Sequence, residues 1–315
     1  MTTIHHPEHL LDRAAMVAIR AVLGSSAKGS VSGPQSRSPF DEIMNRVPAA
    51  SDVTYDIATV GGVPGQWCRP KSALKGAAIL YLHGGGYVVG TARSHRNFVG
   101  QVASRARVAA FVPDYRLAPE HPFPAALDDA MSAYEGLLAE GVPNVALAGD
   151  SAGGGLALIL LAWVTANARL GKGVVPAGAA LISPWTDQTL SGESMVERAD
   201  SDPLSTPASL AAMAALYLGG HDGRDPLASP LFGGLSGLPP VRLHVGEDDV
   251  LRDDSVRYGE RFEREGGDCQ VHTWEGMIHV FPSNVTLLKA AREALDDIGK
   301  FLHLQLSRVS VKVEA

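Results

Sequence analysis

The chain has 315 residues, 45% of them hydrophobic and 19% charged, an ordinary globular composition with room for a large buried core. A formal net charge of -7 argues against the basic stripe of a nucleic-acid binder and against adsorption to anionic membranes. Cys68 and Cys269 lie far apart and read as isolated thiols; with no secretory signal and no apolar run near the roughly 18 residues of a membrane span, cytoplasmic residence is expected.

In chain order, His9–Leu23 reads as an amphipathic helix, Gly24–Pro39 as a flexible connector rich in Gly, Ser and Pro, and Phe40–Val47 as a short helix. Residues 1–50 are therefore expected to be cap helices over a catalytic domain spanning 51–315. Val53–Val60 and Gly65–Arg69 flank a Gly-Gly turn as an antiparallel hairpin. Ala77–Leu82 is apolar throughout, as a strand buried on both faces would be, and Val108–Val112, Val145–Ala148, Ala179–Ile182 and Val241–Val245 repeat the pattern. Helical stretches separate them at Asn97–Arg105, Ala125–Glu140, Leu156–Leu170 and Ser255–Glu265. Cys269–Trp274 is the last strand and the expected sheet edge, and Leu287–Leu306 the closing helix. This alternation predicts an α/β fold, a mostly parallel sheet with helices on both faces. Trp185–Leu235 breaks it, with helical patches at Ser191–Arg198 and Pro207–Leu218 and no strand, and reads as a cap insertion over about 186–235.

The chemistry is concentrated at three strand ends. Gly149-Asp-Ser-Ala-Gly153 fits G-x-S-x-G, between a predicted strand and a predicted helix. So sharp a turn brings the two glycines close together, forces Ser151 into a strained conformation and projects its hydroxyl, which marks it as a nucleophile. A serine hydroxyl needs a general base, and in this chain order the acid and histidine follow it. The acid lies in Val245–Asp254, where Asp248 and Asp249 are adjacent candidates; His279, just past the last strand, is the histidine with the right order and loop placement. His83-Gly84-Gly85-Gly86-Tyr87 follows the strand Ala77–Leu82, and its glycines let backbone N–H groups face an oxyanion unobstructed. His83 lacks partner ligands at metal-binding spacing, so no metal is expected. Tyr87, Asp150, Met213 and Tyr217 are placed at the substrate pocket, with Met16, Phe40 and Met44 as further candidates for its lining.

Together, HGGGY at 83–87, DYRLAPEHPFPAALDD at 114–129, GDSAGG at 149–154, DDVLRDDS at 248–255 and GMIHVF at 276–281 resemble the hormone-sensitive-lipase-like esterases, bacterial family IV of the α/β-hydrolases, in their GDSAG subgroup. The resemblance implies Ser151 as nucleophile, His279 as base and Asp249 as acid, although Val250 replaces the usual Pro of that motif. It implies oxyanion donors at Gly85, Gly86 and Ala152, with His83 and Gly84 supporting their loop, and structural roles for Asp114, Arg116 and Glu120. The implied activity is cofactor-free hydrolysis of short- to medium-chain acyl esters through an acyl-enzyme. Lactone, amide or acetyl hydrolysis by the same triad is the alternative, with a non-catalytic binding protein or a lyase more remote. The substrate is a small ester, with neither nucleic acid nor membrane as partner. Members of the family often dimerise through the last strand, which makes a homodimer through that edge the expectation.

Overall fold

Strands β1 (Thr2–His6), β2 (Val53–Val60), β3 (Val63–Pro70), β4 (Ala77–Leu82), β5 (Ala109–Pro113), β6 (Asn144–Asp150), β7 (Ala179–Ile182), β8 (Val241–Gly246) and β9 (Cys269–Trp274) hydrogen-bond into one sheet. Its order in the computed structural model, which describes residues 2–27, 33–203 and 205–310, is β1-β9-β8-β7-β6-β4-β5-β3-β2. Pairing is parallel from β1 to β5, and β3 and β2 close one side as the antiparallel hairpin the sequence predicts. The helices are α1 (Leu10–Ala27), α2 (Arg37–Met44), α3 (Ala92–Ala106), α4 (Ala125–Ala139), α5 (Ser151–Arg169), α6 (Ser194–Glu197), α7 (Pro207–Leu218), α8 (Arg252–Arg264) and α9 (Lys289–Ser310).

The apolar strands serve two cores at once. Along β4, Ala78, Leu80 and Leu82 pack with residues of α4, α5 and α8, while Ala77, Ile79 and Tyr81 pack with α3 and α9. Alternate side chains point to opposite faces, so a strand covered on both sides must be apolar throughout. α5 is long and apolar enough to cross a membrane by length and composition, which the reading of the sequence did not anticipate. Yet 72% of its apolar window is buried inside the protein, where it is the central helix of one core. Both cysteines are free and buried, and burial pushes each thiol up to about 12.

The N-terminal segment differs most from expectation. Residues 28–32 of the expected connector lie outside the described residues, residues 24–27 continue α1, and Pro34–Ser36 form a 3-10 turn leading into α2. Residues 2–6 are not cap: β1 pairs in parallel with β9, Ile4 opposite His272. The sequence expectation of β9 as the sheet edge is therefore corrected. β9 is paired on both sides, by β8 and by β1, so its backbone groups are not open to a second copy. His6 stacks on Trp274 at 3.7 Å between ring centroids and hydrogen-bonds His272, which fastens the short strand.

Strand order reverses between β4 and β6, and ligands bind in such sheets at the carboxyl ends flanking that reversal. The loop after β7, which leads into the insertion, is held there by Asp254 of α8. Its Oδ2 accepts from the backbone N–H groups of Thr186 and Asp187, at 2.6 and 2.9 Å, while its buried Oδ1 has no partner among the described residues. Burial, reinforced by the neighbouring Asp187 carboxylate, pushes the Asp254 carboxyl from 3.8 up to about 8. The folded protein then keeps a proton that the unfolded chain releases at much lower pH. The native state binds more protons across that window, so stability falls as pH rises through it. Asp254→Asn retains the acceptor and removes the titration. In urea unfolding, the variant should gain stability relative to wild type between pH 5.5 and pH 8.5; equal pH dependence of the two would refute the assignment.

Candidate active site

Each end of the elbow explains a glycine. A Cβ on Gly149 would lie 2.6 Å from the Gly153 carbonyl oxygen, and one on Gly153 would lie 2.1 Å from that of Leu82. Between them Ser151 adopts φ +53°, a left-handed conformation that L-residues avoid and that persists only where its surroundings impose it. The N–H of Trp185, just past β7, donates to the Ser151 carbonyl at 2.9 Å and helps impose it.

Ser151 Oγ lies 3.0 Å from His279 Nε2, and His279 Nδ1 lies 3.0 and 3.1 Å from the two carboxylate oxygens of Asp249. The three come from loops after β6, β8 and β9 and meet at one end of the sheet. The adjacent Asp248 points elsewhere, to the Arg20 guanidinium of α1. Asp249 Oδ1 also accepts from the Leu251 N–H at 2.8 Å, which fixes the carboxylate. Burial alone would push the His279 imidazole down, but Asp249, joined by Asp202 and Asp150, outweighs it and raises it to about 9. With Asp249 accepting at Nδ1, the neutral ring offers Nε2 as a proton acceptor toward Ser151.

The glycine loop after β4 is fastened to the elbow. Gly84 N–H donates to Asp150 Oδ1 at 3.1 Å, and the Tyr81 hydroxyl donates to the same oxygen at 2.9 Å. Asp150 is thus a buried brace between the two loops; burial pushes its carboxyl up despite these donors. His83 is buried, stacks on Tyr115 at 4.2 Å and gives its Nδ1 proton to the Gly84 carbonyl. Burial and the neighbouring His95 hold it down at about 3, so it is a neutral strut. Gly85 and Gly86 take φ +118° and +60°, and a Cβ on Gly85 would lie 2.2 Å from the Val89 carbonyl oxygen. Their N–H groups donate to no protein acceptor among the described residues. The N–H of Ala152, in the first turn of α5, is likewise free of an intrahelical partner.

Of the pocket candidates, Met213 of α7 reaches the site: its Sδ would lie 2.1 Å from a Cβ on Gly86. Tyr217, one helical turn on, stacks on Tyr87 at 3.7 Å, and this buried pair closes the wall behind the glycines. Met16 packs instead among Trp274, Met277, Ile278 and Phe281, and Phe40 leans on His95. Met44 lines a separate groove of about 320 Å³ between α1, α2 and residues 283–287. Asp114 holds the first N–H of α3, Arg116 pairs with Asp129, and Glu120 pairs with Arg37 of α2.

Two residues at the site escaped sequence reasoning. Arg20 donates to Asp248, to the Gly276 carbonyl and to the Ser201 carbonyl, tying α1 to the loops that carry Asp249 and His279 and to the insertion. Asp202 accepts from the backbone N–H of His279. The contacts of Arg20 span 181 to 256 residues and that of Asp202 spans 77, and no local pattern announces them.

A sequence model of a family described by its α/β-hydrolase fold matches residues 79–283. An acetyl-hydrolase of Streptomyces hygroscopicus is 40% identical over 249 residues, 78% of this chain and 82% of that protein. An ethyl acetate hydrolase of Pseudomonas putida is 36% identical over 256 residues, 78% of this chain and 79% of that one. The crystal structure of an esterase from the bacterial hormone-sensitive lipase family superposes with a TM-score of 0.87 at 35% identity, covering 93% of this chain and 98% of the other. The chain is a carboxylic ester hydrolase and belongs to the hormone-sensitive-lipase-like branch of the α/β-hydrolase family.

Proposed function

We propose that the protein hydrolyses short- to medium-chain acyl esters through an acyl-enzyme on Ser151. The observation that carries this is the unbroken line from Asp249 through His279 to Ser151 Oγ, with contacts of 3.0–3.1 Å. Ser151 Oγ attacks the ester carbonyl carbon as His279 Nε2 takes its proton. The N–H groups of Gly85, Gly86 and Ala152 hold the oxyanion of the tetrahedral intermediate; losing one such donor typically costs about 10²–10³ in turnover. Asp249 keeps the imidazole in register and stabilises the imidazolium. His279 then protonates the departing alkoxide. Water, deprotonated by the same imidazole, attacks the acyl-enzyme and releases the acid with Ser151 restored.

Acyl length follows from access. Ser151 and His279 are each only 7% exposed, and Met213 presses on Gly86. We read α1, α2 and the insertion at 186–235 as the cap that narrows the entrance. On p-nitrophenyl acetate, butyrate, octanoate and palmitate, kcat/KM should peak at acetate or butyrate. It should fall at palmitate by about two orders of magnitude, because a chain too long for the narrow entrance misplaces the carbonyl at Ser151. A profile rising toward palmitate would overturn the short-chain reading. Relatives named for acetyl and ethyl acetate hydrolysis favour the acetyl end of that range, and an acetylated amine assayed beside p-nitrophenyl acetate separates nitrogen from oxygen as the leaving atom.

A further inference from the structure

Asp202 lies in the stretch between α6 and α7, within Asp200-Ser-Asp-Pro203. The proline that follows it disfavours helix at Asp202 and keeps the chain extended there. Its carboxylate is buried, accepts from the Ser205 N–H through Oδ1 and from the His279 backbone N–H through Oδ2, both at 3.3 Å. A carboxylate oxygen of Asp202, one of Asp249 and a ring nitrogen of His279 all lie within 4.8 Å of one another.

A neutral side-chain oxygen would also accept backbone N–H groups. Two buried carboxylates this close repel each other, and burying a charge is costly unless a counter-charge is at hand. A group close to both that becomes positive is the His279 imidazole, and it does so when Ser151 gives up its proton. An interaction that strengthens only as the transition state forms accelerates the reaction rather than binding the ground state.

We infer that Asp202 is a positioning residue for ester hydrolysis, which fixes the His279 loop to the cap segment and places a second negative charge beside the imidazolium. The inference rests on the triad reading above. The other groups facing the ring are Asp249 from the loop after β8 and Asp150 from the end of β6, whose own neighbour His83 is neutral. On the α1 side Arg20 is paired with Asp248. Coulombic attraction to Asp202 contributes to the raised affinity of His279 for a proton.

The test is the pH profile of kcat/KM on p-nitrophenyl butyrate for wild type, Asp202→Asn and Ser151→Ala, with the last subtracted as background. The wild-type rate should climb with pH toward a midpoint of about 9, where His279 becomes the free base. Asp202→Asn keeps an acceptor for the His279 N–H and loses the charge. Its midpoint should move down by about one unit, and its plateau should lie about tenfold below wild type, the effect of removing one nearby opposite charge. The two curves then converge at low pH, because a weaker base is also free at lower pH. A purely structural role predicts a different result: a uniform loss at every pH with the midpoint unmoved. That result, or a profile identical to wild type, overturns the inference while leaving Ser151 in place as nucleophile. Activity retained by Ser151→Ala overturns the triad reading and the inference with it. If Asp202→Asn fails to fold, Asp202→Ser, shorter and also neutral, should show the same convergence.

Discussion

Ser151→Ala is expected to lower kcat on p-nitrophenyl butyrate by about 10⁶-fold, the scale on which losing such a nucleophile acts. The serine oxygen is the atom within 3.0 Å of His279 Nε2, and its removal leaves the imidazole with no hydroxyl to deprotonate. Alanine keeps the Cβ, so the elbow between Gly149 and Gly153 retains its packing, and thermal unfolding should move by no more than a few degrees. What activity remains comes from the N–H groups of Gly85, Gly86 and Ala152 acting on a water-attacked ester. A variant retaining more than a few per cent of wild-type kcat would show that another group carries the acyl transfer.

How far the sequence revealed this site depended on whether the cause was local. The elbow was legible because its demands are local: two glycines whose missing side chains would strike neighbouring carbonyls, a strand before and a helix after. The order Ser151, Asp249, His279 was legible because parallel strands return each following loop to the same end of the sheet. β1 was not: Thr2-Thr-Ile-His-His6 shows no apolar alternation, and its place against β9 is set by ring stacking of His6 on Trp274, more than 260 residues away in sequence. Separation in sequence also hid Arg20 and Asp202, whose contacts at the site span 77 or more residues. Asp150 stands at the variable position of the elbow, next to the nucleophile, and its partners are not local. In the structure its Oδ1 accepts from the Tyr81 hydroxyl and the Gly84 N–H, so the carboxylate braces the two loops. Spacing alone left Asp248 and Asp249 as adjacent candidates and the family register chose Asp249; in the structure the two differ in direction, Asp249 meeting His279 and Asp248 meeting Arg20.

That choice yields the second large effect. Asp249→Asn is expected to lower kcat by about 10⁴-fold, as the loss of the carboxylate of such a triad does elsewhere. The Leu251 N–H donates to Asp249 Oδ1 and would hold the amide oxygen of the variant in the same place. The amide nitrogen then faces His279 Nδ1 and donates to it. A ring that accepts at Nδ1 carries its proton at Nε2, and Nε2 can no longer receive the proton of Ser151. The geometry survives and the tautomer is wrong. Asp248→Asn removes only a partly exposed ion pair with Arg20, whose guanidinium keeps the Gly276 and Ser201 carbonyls. Such pairs contribute about 1 kcal/mol or less, so its kcat should stay within severalfold of wild type. The contrast is measured side by side, with kcat on one ester and unfolding midpoints for both variants. If Asp248→Asn proves as damaging as Asp249→Asn at equal stability, the charge near the ring matters and its hydrogen bond to Nδ1 does not, and the tautomer argument fails.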